Sequence, residues 1–143
     1  MKVWTIGYEA ATQDDVVAAL ASAGVERLID VRQLPLSRRP GFSKTPLSAA
    51  LAEAGIGYVH MKALGTPPAG REASRKARHG EMAAIYRAAL AEPAAIVAAA
   101  QLRELVDEKP SALLCFEREP THCHRQVLID ETLAEAEVTH LYP

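Results

Sequence analysis

The sequence predicts an α/β fold, a three-layer Rossmann-like sandwich around a mostly parallel sheet of about five strands. Three observations predict it. Short apolar runs that suit strands alternate with segments of helical character, in the order βαβαβααβαβ. Several of those runs are apolar almost throughout, as strands covered on both faces are. Right-handed crossovers then leave few topologies, and one with the first strand central is expected. At 143 residues, 49% hydrophobic and 24% charged, the chain reads as a single domain over 1–143.

Each element has its own signal. Val3-Trp4-Thr5-Ile6 is a short apolar strand ending at Gly7. Thr12 followed by Asp15 is an N-cap with an acid three positions on, and Val16, Val17 and Leu20 continue at helical spacing to a stop at Gly24. Residues 26–31 form the second strand, and Thr45-Pro46 opens a helix running to Gly55. Residues 56–60 are the third strand, and "MKALGTPPAG" at 61–70 is a loop rich in proline and glycine. Two helices follow, 71–91 and 93–109, broken at Pro93. Residues 111–116 are the fourth strand, 122–135 a helix and 138–141 the fifth strand.

No apolar run approaches the roughly 18 residues that span a bilayer, and the N-terminus carries no secretory signal, so a cytoplasmic protein without a membrane partner is expected. Two cysteines make no disulfide framework, and both are expected as thiols. The net charge of −2 hides an uneven distribution. From Arg32 to Arg87 ten Lys/Arg face three acids, a local +7, which suits an anionic partner or a solvated helix face.

In a parallel sheet the C-terminal strand ends share one edge, where open α/β folds bind ligands. Those ends deliver Tyr8 and Glu9, then Asp30 and Arg32, then His60 and Lys62, then Glu117 and the loop to Cys123, His124 and Arg125. Asp30 and Glu117 each close an apolar strand and need a cation, so they serve either a site or an ion-pair network tying loops to the sheet. "PLSRRPGFSK" offers Ser37 and Arg38 on a stiffened loop, donors that match a phosphate. No dinucleotide fingerprint or P-loop follows the first strand, and no cofactor is expected.

The stretch Leu114–Arg125, "LCFEREPTHCHR", holds both cysteines. Cys123, His124 and Arg125 fall in the first turn of the last helix, where unpaired N–H groups favour a thiolate. Cys123 reads either as a nucleophile or as a small buried residue with only Arg125 reaching a ligand. A metal is not expected, because Cys-x7-Cys-His is no recognised zinc spacing and Cys115 reads as strand core.

The four ordered motifs "TIGYE", "DVRQLPLSRRPGFSK", "LAEAGIGYVHMKALGTPP" and "LLCFEREPTHCHR" resemble the family catalogued as domain of unknown function 488. In that family the first motif often reads T-I-G-H-S; here Tyr8-Glu9 stands in its place. The resemblance implies a compact α/β domain of bacteria and archaea with no assigned activity. It places Asp30, Arg32, Pro35, Ser37, Phe42, Leu64-Gly65, Cys115, Glu117, Cys123, His124 and Arg125 at family motif positions.

The expected function is binding of a small anionic, phosphate-bearing and nucleotide-like ligand at the C-terminal sheet edge. Tyr8, Arg32, Ser37, Arg38, Lys62 and Arg125 would hold it. If the protein is an enzyme, Cys123 is the nucleophile, His124 or Glu117 the acid/base, and Asp30 the group orienting Arg32 or Arg125. The alternatives are a nucleic-acid-binding protein using the basic 32–87 region, with Arg75, Arg78 and His79 on one helical face, and a non-catalytic interaction module. No feature of the sequence specifies an oligomeric state.

Overall fold

The computed structural model describes all residues, 1–143. Five strands form one sheet, β1 (Lys2–Gly7), β2 (Arg27–Asp30), β3 (Gly57–His60), β4 (Ser111–Cys115) and β5 (Glu137–Leu141). Their order is β3-β2-β4-β1-β5, and every pairing is parallel. The α/β class and the parallel sheet are as expected, but the central strand is β4, not the first. Burial accounts for this: all five residues of β4 are buried, whereas β1 begins exposed at Lys2.

Six α-helices connect the strands, α1 (Gln13–Ser22), α2 (Lys44–Glu53), α3 (Pro68–Arg75), α4 (His79–Leu90), α5 (Pro93–Glu108) and α6 (His124–Thr132). The alternation of side chains along the strands divides the core in two. Ile6, Leu28, Ala112 and Leu114 pack with Val16 and Leu20 of α1 and Leu47 and Leu51 of α2. Val3, Ile29 and Leu113 pack on the other face with residues of α3 to α6, among them Met82, Tyr86, Leu102 and Leu128. The result is three layers. No single helix is long and apolar enough to cross a membrane.

The start of α1 follows its sequence signal. The Asp15 N–H donates to Thr12 Oγ1 and the Thr12 N–H donates to the Asp15 carboxylate, both at 3.1 Å, closing a reciprocal capping box. Helix α6 starts two residues later than expected, because Pro120–His122 forms a separate 3-10 turn before it.

The region 71–91 departs furthest from expectation. It is two helices, not one, with a break at Lys76–Arg78 where Ala77 takes φ +58°. The Arg78 N–H reaches back to the Ala73 carbonyl at 2.8 Å and the Ala77 N–H to Ser74 at 3.0 Å, as in a Schellman turn. Alanine in that left-handed position carries no glycine or proline signal, so helical spacing ran on through the break. Arg75 therefore ends α3 while His79 begins α4, and the expected helical face of Arg75, Arg78 and His79 does not form. Arg78 and Lys76 instead pair with Glu81 (3.8 Å) and Glu72 (3.0 Å).

Replacing Ala77 with glycine removes the steric cost of the left-handed turn, roughly 1–2 kcal/mol, against a smaller gain in unfolded-chain freedom. Ala77→Gly is therefore expected to raise stability by about 0.5–1 kcal/mol in a urea titration. A loss of stability would contradict this account of the turn.

Candidate functional site

The sheet register sets the site. Gly7 lies opposite Cys115 across β1 and β4, Asp30 opposite Leu114 across β2 and β4, and Asp30 opposite His60 across β2 and β3. The ends of four neighbouring strands, β3, β2, β4 and β1, thus open on one rim. The chain after β2 leads to α2 on one face and the chain after β4 to α6 on the other, which leaves a crevice between them, the usual ligand position in this class. A cavity of about 250 Å³ occupies it, lined by Tyr8, Arg32, Gln33, Thr66, Arg71, Ser74, Cys115, Glu117 and His124, with Leu34, Leu36, Met82 and Phe116 as apolar wall.

Asp30 and Arg32 are the anchor of the rim. The Arg32 Nε donates to Asp30 Oδ1 at 2.9 Å and Nη2 to Oδ2 at 2.7 Å, while the Arg32 backbone N–H adds a third bond at 3.1 Å. Tyr58 donates its hydroxyl to the same carboxylate at 2.5 Å, and Arg32 Nη1 donates to the Phe42 carbonyl (2.7 Å) and the Tyr8 hydroxyl (3.1 Å). Burial and the bond to Asp30 hold the Tyr58 hydroxyl well above its ordinary pKa, so it stays a donor. Burial alone would lower Arg32, but the bonds and charge of Asp30 outweigh it and the guanidinium is raised. Asp30 orients Arg32 rather than Arg125.

Arg125 is wholly buried and acts from behind the rim. Its Nη2 donates to the Glu117 and Arg118 carbonyls, whereas Nε and Nη1 have no partner. Burial pulls it down to about 10, with Glu117, Tyr142 and Glu119 opposing. Glu117 itself reaches the cavity. Burial raises its carboxyl above the usual range, with the charge of Glu9 adding, while the Ser74 hydroxyl at 3.3 Å and the Arg125 charge oppose. Burial also pushes His124 down to about 4, leaving the ring neutral at neutral pH, with Nε2–H donating to the Val31 carbonyl at 2.6 Å.

The cysteines differ from expectation. They are paired as a disulfide, their Cα atoms 7.3 Å apart, rather than serving separately as core residue and free thiol. The cause is the connection: residues 116–122 leave the end of β4 and return to the start of α6 at the same sheet edge. Cys123 caps α6, its sulfur accepting the Arg125 N–H at 3.5 Å, and is 2% exposed. Cys115, read as core, is the one that lines the cavity.

Besides Arg125, three expected ligand contacts lie outside the cavity lining. Arg38 is exposed and outside the cavity lining. Ser37 is spent within its own loop, its oxygen accepting the Arg39 N–H at 3.1 Å and its N–H donating to Ser43 Oγ at 3.0 Å. Lys62 borders a broader, shallower depression beside β3 and α5. Arg39, not Arg38, does structural work in that loop, its guanidinium donating to the carbonyls of Tyr8, Glu9 and Ala11. Conversely, Arg71, Ser74, Gln33 and Thr66 enter the cavity without having been singled out for it. Arg71 donates to Gln33 Oε1 and to the Thr66 carbonyl at 2.9 Å and pairs with no acid. Its only signal was the local excess of basic residues.

The model of the family described as Domain of unknown function DUF488 matches residues 12–132. This chain belongs to the DUF488 family. The match takes in β2 to β4, the loop 31–43 and the whole of "LCFEREPTHCHR", and stops short of β1 and β5. Within it lie every cavity residue named above except Tyr8. No curated protein and no solved structure matches the chain.

In this DUF488 domain Gly7 sets how close β1 comes to the β4–α6 loop, since a Cβ there would fall on the Glu117 carbonyl. Gly7→Ala is expected to cost about 1–3 kcal/mol in urea unfolding, the usual range for an overpacked contact with backbone. A neutral Gly7→Ala would show that the loop is not held against β1.

Proposed function

We propose that this DUF488 domain binds a small anionic ligand, phosphate-bearing and nucleotide-like, in the cavity at the C-terminal edge of the sheet. The observation that carries the reading is the placement of Arg71. It is the one arginine lining the cavity whose guanidinium is not neutralised by a carboxylate, since Arg32 is committed to Asp30. A half-buried guanidinium with donors left over suits a phosphate or carboxylate oxygen. The exposed side chains of Leu34, Leu36 and Phe116 give the same cavity an apolar lip, fit for a ring or base. Its volume, about 250 Å³, lies just below the roughly 300–1,000 Å³ of most ligand sites and favours one nucleoside-sized molecule over a dinucleotide.

A catalytic version of this reading uses Glu117. A carboxyl raised by burial, beside the Ser74 hydroxyl, is suited to carry a proton to or from a bound ligand. Cys123 is less suited to attack, because its sulfur is buried against Cys115. The nucleic-acid reading loses its main argument with the break between Arg75 and Arg78.

Titration calorimetry with nucleoside mono- and diphosphates tests the proposal. Saturable binding is expected, and Arg71→Gln should weaken it at least about tenfold, the worth of a charge-assisted bond, while the loss of its bonds to Gln33 and Thr66 lowers the melting temperature by only about a few degrees. Arg38→Gln should change it less than about twofold. Equal losses for both variants, or no saturable binding to any of these ligands, would overturn the reading.

A further inference from the structure

We propose that in the reduced protein, where a thiol reductant has opened the Cys115–Cys123 disulfide to two thiols at the cost of its own oxidation to a disulfide, Cys115, Cys123 and His124 are the protein ligands of a zinc ion at the floor of this cavity, with the fourth coordination position open beside Glu117. The proposal stands apart from the anionic-ligand reading. The two sulfurs and an imidazole nitrogen of His124 all lie within 4.8 Å of one another, and all three residues are buried.

The histidine is the most telling of the three. Its Nε2 faces the Val31 carbonyl at 2.6 Å, and a carbonyl only accepts, so the ring proton sits on Nε2. That leaves the Nδ1 lone pair facing Cys123 Sγ at 3.6 Å. An imidazole fixed through one nitrogen by a backbone carbonyl, with the other nitrogen presented to thiols, is the usual outer arrangement of a metal-bound histidine. As a disulfide, the two sulfurs would give that lone pair nothing to bind.

The backbone spacing agrees. Disulfides hold their Cα atoms about 4.4–6.8 Å apart, whereas these stand at 7.3 Å. Two thiolates on one tetrahedral zinc, at about 2.3 Å from the ion, have sulfurs about 3.8 Å apart, a separation that a wider backbone accommodates. A thiolate is also favoured locally at Cys123, where the Arg125 backbone N–H points to Sγ at 3.5 Å at the start of α6. Two sulfurs with one imidazole select zinc over calcium or magnesium, which take oxygen ligands.

The site is half open. Cys115 and His124 line the cavity while Cys123 lies behind them, so a molecule in the cavity can reach the ion. Three protein ligands plus an open position distinguish catalytic zinc sites from closed structural ones. Glu117 Oε2 lies 3.5 Å from Cys115 Sγ, beside that position, where it can take a hydrogen bond from a zinc-bound water. The sequence spacing hid this arrangement because the ligands come from the two ends of a loop joining β4 to α6, not from a compact zinc knuckle.

The test is made on untagged wild-type protein purified anaerobically with reductant. Elemental analysis is expected to give one zinc per chain, removable by chelator. Cobalt(II) added to the stripped protein should give the intense visible bands of a tetrahedral site with thiolate-to-cobalt charge transfer. Added zinc should protect both cysteines from alkylation. Cys115→Ser and Cys123→Ser should each lower the charge-transfer intensity, and His124→Asn should weaken cobalt binding at least about tenfold while leaving two reactive thiols. Two freely alkylated thiols whose rate zinc does not change, with a pale octahedral cobalt spectrum, would overturn the proposal. So would a Cys115–Cys123 disulfide that persists in the anaerobically reduced protein. Both readouts are taken on the wild type, so a variant that fails to fold leaves them standing.

Discussion

The rim depends on one buried ion pair. Asp30 is fully buried and Arg32 is 7% exposed, and taking two such charges out of water costs several kcal/mol each unless every lone pair and proton is used. Here nearly all are. Two bonds join the side chains, a third comes from the Arg32 backbone, and Tyr58, Tyr8 and the Phe42 carbonyl take up what is left. Each partner belongs to a different part of the fold. Tyr58 is on β3, Tyr8 follows β1, and Phe42 closes the long loop after β2. The pair therefore fixes three segments relative to β2, and the His60 ring, donating to the Arg32 carbonyl at 2.7 Å, adds a second tie to β3.

The cavity inherits its character from that arrangement. Because Arg32 is satisfied by protein, it shapes the wall, and the free cationic edge falls to Arg71 on α3. Gly7 and Gly65 allow the rest to close: a side chain on Gly65 would collide with the Gln33 backbone, just as one on Gly7 would collide with Glu117. Gln33 and Glu117 are both cavity residues, so each missing Cβ lets the backbone of one cavity residue come close. Arg125, beneath them, tethers the Glu117 and Arg118 carbonyls. A ligand would meet a site whose walls are held before it arrives, which lowers the ordering cost of binding.

Much of this was legible in the residues. The strands and their parallel arrangement follow from short apolar runs, and the Thr12–Asp15 cap from its spacing. The common rim follows from topology alone, since any parallel sheet gathers its C-terminal ends. Harder to read was which polar side chains turn inward. Arg38 and Arg39 are neighbours of one type, and only loop geometry sends Arg39 to three carbonyls and Arg38 to solvent. Strand order depends on which strand is most completely covered, a property of the packed helices rather than of β1. The α3–α4 break turns on one alanine in a left-handed turn, a residue that favours helix, and with it went the apparent basic stripe. The meeting of Cys115 and Cys123 depends on how a seven-residue excursion closes, which composition does not reveal.

The central claim is that Asp30 and Arg32 act as a unit on which the rim is built. A double-mutant cycle of Asp30→Asn and Arg32→Met, read by urea unfolding, tests it most directly. Each single change should cost about 3–5 kcal/mol, because it strands a buried charge, and the double variant should recover a large part of that cost, giving a coupling of roughly 2 kcal/mol or more. Additive losses with a coupling below about 0.5 kcal/mol would contradict the account.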